Sequence, residues 1–447
     1  MQRRLSRIFA LILGIPLLLA ILAACGSGTT TTGTTGGNGG GTKGSTVIKI
    51  ASDYPVSGKD ESAGKPAENG SHLAVDEANS TKFLPGYTFQ FVATDDVGPA
   101  GTHDGATGQK HVTDLIGDAL VAGIDGPLNS SVAVSELPVA NQAPIAIISP
   151  ANTNDCLTQN DPATECGANG KLDTYRPTGK VTYFRIATLD KFQGAALADF
   201  SYKTKSYKKA YVIDDTETYG VGIATSFITE WKKLGGTVID RKSVAPTTTS
   251  YVNILTQIAS TNPDVIFFGG NDSTGGTLIR QQMQQLSALK NTPFVAGDGT
   301  QTSAFSRTIG NTGGPVFTSV AAVNPAALGG VATTFINAYS AKYGANNISS
   351  YSGGAYDCAK IIMQAVKTAI GKGVNTPKDS SDAAQAKVFR QAVIDAIQNT
   401  DYTGVTGHHT FDKNGDTTNR VISIYTIAPD VNVGDGWKFL TQLNVGS

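Results

Sequence analysis

Ser130 is the residue whose place in the sequence most directly suggests binding chemistry. It opens a helical pattern that follows a short β-rich run at Ala119–Ile124. The first turn of a helix carries backbone N–H groups without intrahelical partners and the positive end of the helix dipole, and both attract an anion. The serine hydroxyl adds one more donor. The sequence therefore predicts that a carboxylate can bind at this position.

The histidines and acids show no spacing that suggests catalysis or a metal site. None of the separations among the histidines is typical of zinc, and His103 and His111 are predicted to lie in a surface loop and on a helix. The chain lacks the G-x-S-x-G nucleophile motif and the G-x-x-x-x-G-K-[ST] phosphate loop. Segment 412–416 resembles a calcium loop, but Ser423 stands where the twelfth-position acid belongs, so a β-turn is predicted. We expect no enzyme, metal or cofactor.

Cys25 ends a segment with the features of a lipoprotein signal peptide. Arginines precede an apolar run, Ile8–Ala24, which ends in Leu22-Ala23-Ala24-Cys25. Small residues before a cysteine suit a lipoprotein signal peptidase, and the Cys25 thiol would then carry lipid. We predict a signal peptide over 1–24 and a flexible Gly/Thr/Ser-rich tether over 25–46. The alternative for the apolar run is a single transmembrane helix.

The other cysteines fit an exported protein. Cys156 and Cys166 stand close together, and in an oxidising compartment they are predicted to form a disulfide. Two free thiols are the alternative. Cys358 lies in an apolar helical pattern and is expected to be a small buried residue rather than a nucleophile.

Length and charge narrow the class of protein further. Residues 25–447 exceed what one core usually supports, so two lobes are expected. The formal net charge of -1 argues against a nucleic-acid partner, which normally requires a basic surplus.

Strand and helix patterns alternate along both halves of the chain, which predicts parallel sheets with right-handed crossovers. Three further helices are expected before a strand-rich tail. The strands are predicted at Val47–Ala51, Thr88–Ala93, Ala119–Ile124, Ile145–Ser149, Ala210–Asp214, Val238–Val244, Val265–Gly269 and Phe294–Gly297. The helices are predicted at Glu68–Asn79, Ser131–Asn141, Tyr219–Leu234, Val252–Ser260, Gly276–Leu289, Val331–Lys342, Gly354–Ile370 and Ala383–Gln398.

A series of short motifs, in this order and spacing, resembles the type 1 periplasmic solute-binding proteins of the branched-chain amino acid (leucine/isoleucine/valine) ABC transporter family. The motifs are Pro55-Val56-Ser57-Gly58, Thr94-Asp95-Asp96, 126–131, 148–153, Tyr219-Gly220-Val221-Gly222, Phe268-Gly269-Gly270, Gly297-Asp298-Gly299 and 411–416. The resemblance implies an α/β fold of two doubly wound Rossmann-like lobes joined by three hinge crossovers.

The resemblance also implies the division of the chain and the course of the hinge. Lobe 1 is expected to comprise 47–189 and 321–406, and lobe 2 to comprise 190–320 and 407–447. The crossovers are expected near Thr188–Lys191, Val316–Ala322 and Gly404–Thr410.

The family pattern implies a ligand held between the lobes. Ser130, Ala151 and Thr153 match positions that contact the constant part of a bound amino acid. Asp298 matches the acid that meets the α-ammonium from lobe 2, although well-known leucine binders carry Glu there. Tyr219 matches an aromatic residue that contacts the ligand; a surface tyrosine capping its helix is the alternative.

Other positions imply a pocket unlike that of a leucine binder. Asn271 stands where those proteins have an aromatic residue, and Ser62 occupies another pocket position. The pocket should therefore be roomier or more polar. Leu128, Asn129 and Tyr54 are further candidates to line it.

These features predict a monomeric, lipid-anchored, extracytoplasmic receptor. It would capture an amino acid or a related small zwitterion and deliver it to an ABC permease, with contact to the membrane through the lipid on Cys25. Two alternatives keep the fold: the protein could bind a short amide, a urea-like compound or an aromatic carboxylate, or it could be a ligand sensor for a membrane receptor. Two others are an enzyme and a tethered adhesive protein. An adhesive protein would usually show repeats or sandwich patterning.

Overall fold

A computed structural model of the chain describes residues 45–161, 164, 166 and 171–446. The predicted signal peptide, Cys25 and nearly all of the predicted tether lie outside the described residues. Residues from 45 onward form one compact unit. The positions of its two sheets determine where a ligand could bind.

The first sheet has five parallel strands in the order β2-β1-β3-β4-β5. They are β1 (Thr46–Tyr54), β2 (Tyr87–Asp95), β3 (Val121–Asp125), β4 (Ala146–Ser149) and β5 (Tyr183–Arg185). Strands β3 and β4 are buried along their whole length, as expected for parallel strands that helices cover on both faces. The connecting helices are α1 (Glu61–Ser80), α2 (Gly105–Gly117), α3 (Ser130–Gln142) and α4 (Leu172–Tyr175).

The second sheet has seven strands in the order β14-β13-β10-β9-β8-β6-β7. Strands β6 (Lys209–Asp214), β7 (Thr237–Ser243), β8 (Val265–Gly269), β9 (Phe294–Ala296) and β10 (Val316–Val320) are parallel. Strands β13 (Val421–Ile427) and β14 (Trp437–Asn444) extend the edge in antiparallel pairing. The helices of this half are α5 (Asp190–Asp199), α6 (Thr218–Lys233), α7 (Val252–Ser260), α8 (Thr277–Gln285) and α9 (Ser303–Ile309).

Three later helices return to the first sheet: α10 (Gly330–Tyr343), α11 (Ser352–Gly371) and α12 (Ala383–Gln398). One apolar cluster contains Ile50 of β1 together with Ile362 of α11 and Phe389 of α12. A hairpin of β11 (Tyr402–Gly404) and β12 (Gly407–His409) then leads back toward β13. Each sheet has apolar clusters on both faces, so the chain forms two Rossmann-like lobes, as the sequence predicts.

We define lobe 1 as the five-stranded sheet with α1–α4 and α10–α12, and lobe 2 as the seven-stranded sheet with α5–α9. The chain passes between the sheets after β5, after β10 and after α12. The segment predicted as the second crossover, 316–322, is mostly strand β10, because residues 316–320 pair with β9 and β13. The passage itself follows that strand.

The predicted elements agree closely with the structure in both halves. Strand Val265–Gly269 and helices Val252–Ser260 and Ala383–Gln398 have the predicted bounds. The helix predicted at Gly276–Leu289 ends at Gln285. Segment 412–416 is a β-turn, closed by the Gly415 N–H donating to the Asp412 carbonyl at 3.0 Å. Helix α5 and strand β5 have weak sequence patterns and were not predicted.

Candidate ligand-binding site

A cavity lies between the lobes, where the carboxyl ends of strands from both sheets face each other. About 450 Å³ of the space between its walls is free of protein atoms, part of it open to solvent. The lining residues are Lys59, Asp60, Ser62, Ala63, Leu128, Asn129, Ser130, Ala151, Tyr219, Asn271, Asp272, Ser273, Asp298, Gly299, Thr302 and Tyr351. Ligands of open α/β sheets bind at this edge because loops after successive strands converge there.

The lobe 1 wall carries buried oxygen atoms that have no partner. Ser130 begins helix α3, and Asn129 is its N-terminal cap residue. Among the described residues, Ser130 Oγ, Asn129 Oδ1 and Thr153 Oγ1 are buried and make no hydrogen bond. Buried polar atoms are nearly always paired, so these three atoms indicate a place for a hydrogen-bonding ligand. Thr153 does not itself line the cavity, but it lies two residues from Ala151, which does.

Hydrogen bonds fix the loop that presents Ala151. The Ser149 hydroxyl accepts the N–H groups of Ala151 and Asn152 at 3.2 and 2.9 Å, and donates to the Pro127 carbonyl at 2.7 Å. The Asn152 side-chain amide donates to the Leu128 carbonyl at 2.8 Å. The loops after β3 and β4 are therefore tied together, which gives this wall a fixed shape.

Asp298 is the central group of the lobe 2 wall. Its side chain is 3% exposed, and its Oδ1 accepts hydrogen bonds from the Tyr219 hydroxyl at 2.8 Å and the Gln193 amide at 3.1 Å. Burial raises the pKa of Asp298 to about 6, although these two donors oppose the shift. Tyr351 of lobe 1 faces the same carboxyl. The partners of Asp298 among the described residues are all neutral, so a cation could add an interaction that these residues do not supply.

Gly297 permits the close approach of Tyr219 to this carboxyl. A Cβ atom at Gly297 would lie 2.1 Å from the Tyr219 hydroxyl oxygen, which is far inside contact distance. A side chain at this position would therefore displace Tyr219 and break its hydrogen bond to Asp298.

A second lobe 2 loop, after β8, contributes Asn271, Asp272 and Ser273. Asp215 holds this loop, because its Oδ2 accepts the Thr274 hydroxyl at 2.7 Å and the Asn271 N–H at 3.3 Å. Asp272 accepts the Thr277 N–H at 3.1 Å and the Thr302 hydroxyl at 2.7 Å. The loop thus brings an amide, a carboxyl and a hydroxyl to the cavity.

His103 connects the lobes beside the cavity. Its Nε2 lies 2.7 Å from Glu217 Oε2 of lobe 2, and its Nδ1 lies 3.1 Å from Asp60 Oδ2 of lobe 1. Burial disfavours the charged ring, but hydrogen bonds and charges from these two carboxylates outweigh it and raise the pKa of His103 well above its usual value. The Ser131 hydroxyl also donates to Glu217, at 3.2 Å. The lobes are therefore in contact, in a closed arrangement.

The prediction that His103 lies at the surface is wrong, because the His103 side chain is only 2% exposed. The sequence pattern missed this because the two carboxylates that bury the ring are distant in the chain. His111 is on helix α2, as predicted, and its Nδ1 lies 3.1 Å from Asp53 Oδ1. No group of three or more His, Cys, Asp or Glu residues in the described part of the chain is placed to hold a metal ion.

The structure brings most of the candidate residues to one cavity: Leu128, Asn129, Ser130, Ala151, Tyr219, Asn271 and Asp298 line it. Tyr54 does not line it. Its ring is fully buried behind the lobe 1 wall, and its hydroxyl donates to Asp125 at 2.5 Å.

Sequence reasoning missed Tyr351 and four polar residues, Asp60, Asp272, Ser273 and Thr302. The position of Asp272 next to Asn271 could have revealed it. Tyr351 precedes helix α11 and reaches the cavity only because that helix packs back on lobe 1, so the sequence offered no signal for it.

Cys156 and Cys166 form a disulfide, as predicted, and Cys358 is a free, buried thiol. Within the described ranges, no helix combines the length and the apolar character needed to cross a membrane.

The fold and the cavity define a two-lobed α/β binding protein. The chain belongs to the periplasmic binding protein family, whose model matches residues 47–432, and the resemblance seen in the sequence is confirmed. It is 24% identical over 380 residues to the Leu/Ile/Val-binding protein BraC3 of Rhizobium johnstonii, covering 85% of this chain and 91% of that protein. It is 27% identical over 290 residues to Leu/Ile/Val-binding protein homolog 3 of Brucella melitensis, covering 63% and 70%. These relatives are named as binding proteins rather than enzymes.

Solved structures show the same fold. The leucine-binding protein LivK of Thermotoga maritima superposes with a TM-score of 0.72 at 23% identity, covering 89% of this chain and 99% of that one. A solute-binding protein of an ABC transporter from R. palustris, in complex with benzoate, superposes with a TM-score of 0.67 at 18% identity, covering 89% and 96%.

Proposed function

We propose that this protein is a lipid-anchored extracytoplasmic receptor that captures an amino acid or a related small zwitterion and delivers it to an ABC permease. The observation that carries the proposal is the pairing of two walls across one cavity. Among the described residues, lobe 1 presents buried, unpartnered oxygen atoms at a helix N-terminus, and lobe 2 presents Asp298 with neutral partners. The names of the relatives favour an amino acid.

Each wall suits one charge of a zwitterion. The N-terminus of helix α3 and the Ser130 hydroxyl would bind the α-carboxylate, with Thr153 and Ala151 nearby. Asp298 would bind the α-ammonium, and a charge-assisted hydrogen bond of this kind contributes about 1.5–3 kcal/mol. Because the two groups belong to different lobes, a ligand that bridges them would stabilise the closed form.

Closure would convert binding into a signal for the permease. We propose that the lobes rotate about the three chain crossings, with lobe boundaries near 189/190, 320/321 and 406/407. The ligand shifts the population toward the closed form only through contacts that the open form lacks. The Asp298 contact meets that condition.

A thermal-shift screen of purified, refolded protein tests the ligand class. A ligand at 100 times its dissociation constant adds about 2.7 kcal/mol of stability. We expect amino acids to raise the melting temperature, and carboxylates without an amine to raise it less. A shift with aromatic carboxylates or short amides alone would retain the binding function and exclude the zwitterion. The benzoate-bound structure of the same fold is the reason to include aromatic acids.

Two cellular measurements test anchoring and delivery. Cys25→Ser should release the protein from the membrane fraction, whereas Cys358→Ser should leave its location unchanged. Loss of the gene should abolish uptake of the identified solute. Unchanged uptake with loss of a transcriptional or chemotactic response to the solute would instead identify a sensor.

A further inference from the structure

Part of the cavity is lined by polar side chains that the zwitterion contacts do not use. We call Asp60, Ser62, Asn271, Asp272, Ser273 and Thr302 the polar cluster. The first two belong to lobe 1 and the others to lobe 2, so the cluster spans the cleft. Among the lining residues, aliphatic side chains are limited to Ala63, Leu128 and Ala151.

Asp272 is the carboxyl of the polar cluster that has no cationic partner among the residues that the structure describes. It accepts hydrogen bonds from Thr277 and Thr302, which are both neutral donors. Burial raises the pKa of Asp272, its neutral donors oppose the shift, and the charge of Asp60 adds to it. A positively charged or N–H-bearing ligand group would relieve both the burial of this carboxylate and its repulsion from Asp60.

The charges around Asp60 do not neutralise the cluster. Asp60 Oδ2 accepts the backbone N–H of His103 at 2.9 Å and contacts its ring. The same ring also pairs with Glu217, so one imidazolium faces two carboxylates before Asp272 is considered. Lys59 lines the cavity, but its side chain is at the exposed rim.

Ser273 adds a neutral hydroxyl to the polar cluster. Its Oγ is buried without a hydrogen bond of normal geometry in the described part of the chain, and it interacts with the Asp60 carboxyl, whose pKa it helps to lower. An aliphatic side chain placed beside it would leave Ser273, Asp272 and Asn271 out of water without new partners. Sites built to form hydrogen bonds reject ligands that cannot form them.

We infer that the ligand is an amino acid whose side chain ends in an N–H donor, with a cationic end preferred over an amide, and that Asp272 is the residue that determines this preference. The inference rests on the proposed function and narrows its ligand class. It distinguishes this chain from the Leu/Ile/Val-binding proteins to which it is similar.

Calorimetric titrations with lysine, arginine, glutamine and leucine test the inference on the wild-type protein. We expect the better of the two cationic amino acids to bind most tightly, glutamine to follow, and leucine to bind at least about tenfold more weakly. Leucine binding as tightly as any of the others would overturn the inference while leaving the proposed function intact. No binding by any amino acid would instead overturn the proposed function.

Asp272→Asn tests the role of the residue, because it removes the charge and keeps the shape. The preference for the cationic ligand over leucine should fall by about tenfold, with leucine affinity unchanged or improved. Asp430→Asn removes the same charge from an exposed loop position and should leave the preference unchanged. If Asp272→Asn prefers the cationic ligand over leucine as strongly as the wild type does, Asp272 does not determine the preference. If Asp272→Asn does not fold, the ranking of the ligands on the wild-type protein still decides the ligand class. Ser273→Ala then replaces Asp272→Asn as the test variant, and it should lower the affinity for the cationic ligand more than the affinity for leucine.

Discussion

Asp416 and Asp298 are both buried acids, but their surroundings give them different functions. Asp416 Oδ1 accepts the Arg185 Nε at 2.7 Å, and its Oδ2 accepts Thr158 and Gln159 at 3.0 and 2.8 Å. In the described part of the chain, the side chains that donate to Asp298, among them Tyr219 and Gln193, are neutral. One carboxylate has a cation built into the protein, and the other is placed where a ligand could provide one.

The two environments change the pKa values in opposite directions. Burial alone raises the pKa of Asp416, but the charge of Arg185 and three hydrogen bonds outweigh it and lower the pKa. Burial dominates at Asp298 and raises its pKa to about 6. Burial by itself therefore does not make an acid a binding group; Asp298 combines a place on the cavity wall with neutral partners, which leaves its charge for a ligand.

The largest expected effect comes from removing Asp416. Asp416→Ala leaves the Arg185 guanidinium buried without its carboxylate, which should lower the free energy of unfolding by about 3–5 kcal/mol. Urea denaturation measures the loss. Asp114→Ala, which breaks the exposed pair with Lys110, is the matched control and should change the unfolding curve little. A similar small change in both variants would contradict a structural role for the Arg185 pair.

The disulfide should stabilise the loop that supplies Thr158 and Gln159 to Asp416. Cys156→Ser should lower the free energy of unfolding by about 3 kcal/mol, because the unfolded chain loses a constraint on a short loop. Ligand affinity should hardly change, since neither cysteine lines the cavity. An unchanged melting temperature would show that the bond does not stabilise the protein.

Asp298→Asn should have the opposite effect to Cys156→Ser: it should weaken ligand binding and change the free energy of unfolding little. The amide can still accept hydrogen bonds from Tyr219 and Gln193 but cannot pair with an ammonium. Amino acid affinity should fall about 10- to 100-fold, equivalent to about 1.5–3 kcal/mol. Affinity for the corresponding carboxylate without the amine is the control measurement. Equal losses for both ligands would contradict an ammonium contact.

The raised pKa of Asp298 predicts how affinity depends on pH. The folded, unliganded protein keeps a proton on Asp298 below pH 6, so the contribution of this group to stability falls as pH rises from its usual pKa of 3.8 to about 6. An ammonium ligand needs the ionised form, so affinity should rise as the pH increases through the raised pKa, by about tenfold between pH 5 and 7. Titration calorimetry should show this rise in the wild type and not in Asp298→Asn.

Glu217 is intermediate between Asp416 and Asp298, because it has a cationic partner, His103, but that partner belongs to the other lobe. Glu217→Gln should weaken ligand affinity about fivefold through loss of a contact made in the closed form. His103 has a raised pKa in that form, so the contact is present below the usual imidazole pKa and is lost as pH rises through the raised value. Wild-type affinity should therefore also fall on the alkaline side, and an identical alkaline decline in Glu217→Gln would exclude the His103 contact as its cause.

Much of the fold was predictable because it depends on local patterns. Short buried runs such as Val265–Gly269 and helices such as Ala383–Gln398 are specified by periodicity within one segment. The position of Ser130 at the start of α3 follows from the same local reasoning. The order of motifs then pointed to two lobes and to Asp298 and Tyr219, which both line the cavity.

The errors fall where contacts join distant parts of the chain. His103 lies 43 residues from Asp60 and 114 from Glu217, so no local pattern could show that these acids bury it. Tyr54 has an aromatic side chain next to a predicted site motif, yet it points into the lobe 1 core toward Asp125. The sequence predicted the strand that ends near this motif, but it did not predict whether the Tyr54 side chain faces the cavity or the core.

The sequence by itself determined the lobed α/β architecture, the residues at the ends of the strands and the proximity of Cys156 to Cys166, because these depend on short-range periodicity and spacing. The tertiary structure alone decided which acids have a cation. Arg185 reaches Asp416 across 231 residues, whereas the partners of Asp298 within the described ranges, Tyr219 and Gln193 among them, are neutral. Charge pairing over such distances depends on how the sheets and crossings fold together, and this separates an acid that stabilises the fold from one that can receive a ligand.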